Sequence, residues 1–180
     1  VTNYYEDLED VINWSKTQKW YQEPFILAGS SLGGISVILY AQKYPQKIKG
    51  LAPCQTVISG KLSLETPKYL GKMESWGKTG WFEEKSSTSP TGIKRLKYFH
   101  IVDRLKYDVL LGIHKLTMPV LMVVGSKDDS TPYKHQKLLF DKLPGKKEIH
   151  LVKDAPHTFK EKTHLEELKS IFDNWIKSLD

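Results

Sequence analysis

The sequence predicts an α/β chain in which a mostly parallel sheet is flanked by helices, and three observations point there. Strand-like and helix-like segments alternate four times along the chain. The strand-like segments are short and almost continuously apolar, the pattern of strands covered on both faces. A Gly-x-Ser-x-Gly turn, Gly29 to Gly33, joins one such strand directly to the next helix.

Each element follows from its own spacing. Residues 4–16 carry Tyr4, Leu8, Val11, Ile12 and Trp14 among acidic residues, which suits an amphipathic helix. Phe25, Ile26, Leu27 and Ala28 form a strand too apolar for a sheet with one wet face. Residues 33–44 keep helical spacing and stop before Pro45, and residues 48–52 form a second strand ended by Pro53. Residues 119–124 (Pro-Val-Leu-Met-Val-Val) are the clearest strand, closed by Gly125 and a polar turn. Residues 133–142 read as a helix stopped by Leu143, Pro144 and Gly145, and residues 148–152 as a fourth strand. The last helix, 165–179, sets Leu165, Leu168, Ile171, Phe172, Trp175 and Ile176 on one side. Residues 56–116 break the alternation, with Trp76, Trp81, Phe82, Tyr98 and Phe99 set between Gly, Ser and Lys, and a looser stretch at 86–91. About 60 residues are too many for a simple connection, so a partly helical insertion over the sheet is expected there. The α/β core is then 1–55 and 117–180.

Composition bounds the function. A chain of 180 residues suggests roughly one domain. With 39% hydrophobic and 27% charged residues it can bury a core, which excludes a disordered chain. The net charge of +6 comes from lysines scattered without a nucleic-acid-binding motif, so no nucleic-acid partner is expected. Cys54, the single cysteine, cannot form an internal disulfide, and no Cys/His spacing suits zinc. A reducing, cytoplasmic setting with neither metal nor cofactor is the expectation. Residues 24–42 lack charge but hold Gly29, Gly33, Gly34, Ser30, Ser31 and Ser36. A buried strand, turn and helix explain them better than a membrane span, which needs about 20 predominantly apolar residues. The chain opens at Val1 on a helical pattern with no signal segment before it, so a fragment or processed chain is expected.

The turn after the first strand carries the chemistry. A nucleophilic serine on a tight strand-to-helix turn needs small residues two positions before and after it, where the neighbouring chain crowds in. Ser31 has glycine at both places, whereas Ser30 has Ala28 and Leu32. The Leu32 N–H and the helix N-terminus then face the place where an oxyanion would form. A serine hydroxyl needs a base, and the base an orienting acid. Asp128 and Asp129 both lie just past the strand at 119–124, and spacing from Gly125 and Pro132 favours Asp128. Among six histidines, His157 falls in the loop between the last strand and last helix, at the same sheet edge as Ser31 and Asp128. His150 alternates within a strand, His164 starts a helix, and His100, His114 and His135 lie in the insertion or a helix. The seven-residue spacing of His150, His157 and His164 spans strand, loop and helix, and so has no meaning as a metal site.

The chain order Ser31, Asp128, His157 resembles that of the α/β-hydrolase superfamily. Gly125-x-x-Asp128-x-x-x-Pro132 is similar to its acid loop, and Ala155-Pro156-His157-Thr158-Phe159 to its histidine loop, with Pro156 where glycine is more usual. The likeness covers all but the insertion, which stands where that family has its cap, and is strongest to small cinnamoyl and feruloyl esterases, then to monoacylglycerol lipases and related serine peptidases. It implies an α/β-hydrolase fold and a serine hydrolase of small-molecule esters, with Ser31 as nucleophile, His157 as base, Asp128 as its orienting acid and the Leu32 N–H in the oxyanion hole. An exopeptidase or amidase on the same residues is the alternative, and a non-catalytic hydrolase-like binding module the rival from another class. The family also has strands ahead of the first helix, with a His-Gly loop supplying a second oxyanion donor. Neither is in these residues, so a further segment or a second chain is expected to complete the sheet beside residues 25–28.

Overall fold

The computed structural model describes residues 1–86 and 89–179. Helix α1 (Thr2–Ser15) leads into strand β1 (Phe25–Ser30), a one-residue turn, helix α2 (Leu32–Lys43) and strand β2 (Ile48–Cys54). The next segment holds short helices α3 (Gly60–Ser63) and α4 (Met73–Thr79), a hairpin of β3 (Trp81–Lys85) and β4 (Ile93–Lys97), helix α5 (Phe99–Arg104) and a 3₁₀ stretch, Val109–Lys115. The alternation then resumes with β5 (Val120–Gly125), α6 (Tyr133–Lys142), β6 (Lys147–Val152) and α7 (Lys162–Lys177). The four core strands pair in parallel in the order β1-β2-β5-β6.

Helices cover both faces, as the apolar strands require. Along β5 the side chains alternate: Val120 and Met122 pack with Ile35, Ile38 and Leu139 from α2 and α6. Leu121 and Val123 pack with Trp175 of α7 on the opposite face. A period of two on a strand wholly buried on both sides makes the sequence read as an uninterrupted apolar run. All four core strands start where expected to within one residue, and α7 begins three residues earlier than the pattern indicates. β1 is an edge of the sheet, paired with β2 alone among the described strands.

The segment between β2 and β5 has its own small core, in which buried Tyr69, Trp76 and Ile101 pack against Phe82, Leu96 and Tyr98. The hairpin within it is an addition to the partly helical insertion expected. Its strands, Trp-Phe-Glu-Glu-Lys and Ile-Lys-Arg-Leu-Lys, are charged at three of five positions each and mostly exposed, so they lack the apolar run that marks the core strands. Part of the looser stretch, residues 87 and 88, lies outside the described residues. Among the described residues no helix is long and apolar enough to cross a membrane.

Candidate active site

Ser31 is the single residue between β1 and α2, and its backbone sits at φ 55°, ψ −114°, a region that a side chain disfavours. The turn is held from both sides. Ser31 N–H donates to Cys54 O at 3.1 Å, and Ser31 O accepts from Val57 N–H at 3.2 Å and Ile35 N–H at 3.3 Å. At Gly29 an added Cβ would lie 2.4 Å from Gly33 O, so the approach of α2 to β1 demands glycine there. The expected crowding at Gly33 itself is absent, since a Cβ there would meet nothing within 4 Å. The second crowded position is Gly34, where it would lie 2.5 Å from Thr56 Oγ1. Leu32 opens α2, and its N–H belongs to the first turn, where amides have no partner within the helix.

The loops after β5 and β6 interlock before either presents a side chain. Ser126 N–H donates to Val152 O and Lys127 N–H to Ala155 O, both at 2.9 Å. A Cβ on Gly125 would come within 2.3 Å of Ala155 O, so glycine is what lets these loops touch. Asp128 and His157 are thereby brought together, with His157 Nδ1 2.9 Å from Asp128 Oδ2 and Nε2 3.0 Å from Ser31 Oγ. Asp128 is buried, whereas its rival Asp129 is exposed and accepts from the Ser130 hydroxyl. Burial pushes the Asp128 carboxyl up, but the His157 hydrogen bond and those from the Thr131 amide and hydroxyl outweigh it and hold the group below its ordinary value. An ionised carboxylate only accepts, so Nδ1 carries the proton and Nε2 is left to accept from the Ser31 hydroxyl.

The remaining histidines stand elsewhere. His150 lies 3.2 Å from Glu148 on β6, and His100 bonds Arg104 at 2.9 Å. His135 is 3.9 Å from Glu65, His164 packs near Phe159, and His114 is exposed in the 3₁₀ stretch. Among the described residues no group of three or more His, Cys, Asp or Glu is arranged to hold a metal ion.

Three residues around the site carry no motif, and sequence reasoning passed over them. Thr131 is buried, and its hydroxyl lies 2.7 Å from Asp128 Oδ2. Gln55, at φ 44°, donates its side-chain amide to Pro156 O at 2.9 Å, tying the end of β2 to the histidine loop. Gln136 is wholly buried on α6 and bonds both Thr56 and the Thr131 carbonyl. Their one sequence signal is polarity in segments that the topology brings to the sheet's C-terminal edge.

A cavity of about 460 Å³ opens beside Ser31 and His157, lined on its far side by Phe159, Leu165, Leu168 and Phe172. Cys54 also lines it, but burial pushes that thiol up to about 12, so it stays protonated at neutral pH. The apolar wall and the reactive-looking serine thus share one space.

Comparisons with known proteins bear on the family and the fold. A family model described as Serine aminopeptidase, S33 (Hydrolase_4) matches residues 1–112. The mitochondrial palmitoyl-protein thioesterase ABHD10 of Bos taurus is 28% identical over 163 residues, covering 87% of this chain and 51% of that protein. In structure, alpha/beta hydrolase domain-containing protein 10 from mouse superimposes with TM-score 0.74 at 25% identity, covering 96% of this chain and 68% of the other. The ferulic-acid-bound esterase Est1E from Butyrivibrio proteoclasticus gives TM-score 0.75 at 18% identity, covering 96% and 66%, and so speaks for the fold alone. The chain spans about half the length of the curated relatives it matches.

Proposed function

Since this chain belongs to the S33 serine aminopeptidase family of α/β hydrolases, we propose that it is a serine hydrolase that cleaves esters and thioesters of apolar acyl groups. One observation carries the reading: Ser31 Oγ stands 3.0 Å from His157 Nε2 while Nδ1 of the same ring stands 2.9 Å from Asp128 Oδ2. In this reading Ser31 Oγ attacks the substrate carbonyl carbon and its proton passes to Nε2. The resulting oxyanion is met by the Leu32 N–H at the start of α2. Collapse expels the alcohol or thiol, which takes the proton from Nε2, and water then releases the acyl group from Ser31 by the same two steps in reverse. Asp128 orients the ring and stabilises its transient charge.

The apolar lining of the cavity supports an acyl group as the part held, and the thioesterase relatives support thioesters among the bonds cut. Residues 56–116, inserted between β2 and β5 with their own aromatic core, are read as a cap. The edge strand β1, flanked by a cleft lined by Val11, Ile12, Trp20 and Phe25, is read as the place where a further segment or a second chain pairs. A reducing compartment suits the free Cys54, and the relatives' names favour the mitochondrion over the cytoplasm.

Fluorophosphonate labelling followed by adduct mapping tests the assignment. A single adduct on Ser31 is expected, and Ser31→Ala should remove it and lower turnover by at least about 10⁴-fold with little change in melting temperature. An unlabelled wild-type protein, or an equally active Ser31→Ala protein, would overturn the reading. The family description also favours a second reading, an aminopeptidase or amidase on the same residues. Acyl thioesters and aryl esters compared with aminoacyl amides decide between them, and a preference for the amides would select the second.

A further inference from the structure

Thr131 has one hydroxyl proton and two acceptors for it. Its Oγ1 lies 2.7 Å from Asp128 Oδ2 and 3.0 Å from the Gln55 carbonyl oxygen, with His157 Nδ1 at 3.4 Å. The residue is 5% exposed, so water does not compete for these positions. Both acceptors are anchored. Gln55 N–H donates to Val123 O at 2.9 Å and its side chain to Pro156 O, while Asp128 Oδ1 accepts from the Ser130 and Thr131 amides, both at 2.9 Å. A hydroxyl donates once, so the proton serves either the carboxylate or the carbonyl at any instant.

The choice matters because Asp128 Oδ2 is also the acceptor for His157 Nδ1–H. With the Thr131 proton on Oδ2, that oxygen divides its charge between two donors. With the proton turned to Gln55, the oxygen faces the imidazole alone and an Oγ1 lone pair is directed at Nδ1–H. We propose that Thr131 is a positioning residue acting through Asp128: its hydroxyl restrains the basicity that the carboxylate lends to His157, and turning to Gln55 releases that restraint as the ring becomes charged. This rests on the Ser31, His157, Asp128 reading given above.

Other charged and titratable groups face His157 as well. Asp129 comes from the loop after β5 and shares a cleft with the ring, while Lys127 of the same loop is paired with Asp154 at 2.8 Å. Asp154, Lys160, Glu161 and His164 line a cleft on the outer side of the ring, and Cys54 faces it from β2. All of them are retained when Thr131 alone is changed, so a shift on that change reports the hydroxyl.

Thr131→Val removes the hydroxyl and keeps the shape, Thr131→Ala removes it without bulk, and Thr131→Ser keeps it. In the pH profile of kcat/KM for an aryl ester, the valine and alanine proteins should move the acid limb upward by about half to one pH unit. Without the competing donor the ring keeps its proton to higher pH, and the unprotonated ring is what accepts from Ser31. The serine protein should keep the wild-type limb. An unmoved limb in the two hydroxyl-less proteins, or an equal shift in the serine protein, would overturn the proposal. The Nδ1–H proton signal of His157 reads the same hydrogen bond without turnover and should move downfield in Thr131→Val. That movement in a protein neither active nor labelled by fluorophosphonate would support the role of Thr131 and overturn the hydrolase reading. An active protein with limb and signal both unmoved would overturn the Thr131 proposal alone.

Discussion

Two possible nucleophiles end adjacent strands, and their surroundings give them opposite chemistry. Ser30 and Cys54 are partners in the β1–β2 register, so Ser31 and Cys54 open onto the same cavity. The Ser31 hydroxyl faces a ring nitrogen at 3.0 Å, whereas the partner of Cys54 Sγ is a carbonyl, Ala52 O, at 3.8 Å. Burial raises the thiol from 9.0 to about 12, which cuts the thiolate fraction at pH 8 by about a thousandfold. Iodoacetamide at pH 8 should therefore leave Cys54 essentially unmodified in the folded protein and label it readily in urea. Equal labelling rates in the two states would contradict the burial assigned to it.

At the scale of elements, the segment between β2 and β5 stands on one tryptophan. Trp76 is 1% exposed, stacks on Tyr69 at 5.7 Å, meets Phe82 at 5.1 Å and donates Nε1–H to Leu96 O at 3.1 Å. It thus joins α4 to both strands of the β3–β4 hairpin. Trp76→Ala should cost about 3–5 kcal/mol, read as a lower urea midpoint for this segment, while the parallel sheet keeps its far-UV signal at moderate denaturant. A coincident loss of both signals at an unchanged midpoint would show that the aromatic core is not what holds the hairpin. The hairpin was also the least legible element in the sequence. Glu83 pairs with Arg95 across the hairpin, Glu84 with Lys68 outside it, and Lys94 is exposed, so no apolar run announces a strand, whereas β5 is apolar throughout because both its faces are covered.

At the scale of the whole sheet, β2 and β5 lie inside and β1 and β6 at the edges among the described strands. Exchange of a strand amide needs its hydrogen bond opened, which costs most where both neighbours and both faces are packed. Amide hydrogen exchange should be slowest in β2 and β5, faster in β1 and β6, and fastest in the β3–β4 hairpin. Protection of the hairpin equal to that of β5 would mean that the two cores unfold as one.

The alternation of apolar segments, the glycine-flanked Ser31 and the loops holding Asp128 and His157 were all readable without a structure, because each depends on local chain geometry or on a residue's place at the end of a strand. The sequence alone thereby determined the fold class, the family likeness and three candidates at one sheet edge. It favoured Asp128 over Asp129 on spacing alone, placed the second tight approach at Gly33 rather than Gly34, and marked Thr131, Gln55 and Gln136 by nothing more than their polarity. Those questions concern which side chains meet across loops distant in the chain, as Gln55 and Pro156 do, and spacing along a sequence carries no such information. Only the packed structure, by interlocking the loops after β2, β5 and β6, decided which carboxylate turns inward and which hydroxyl lies against it.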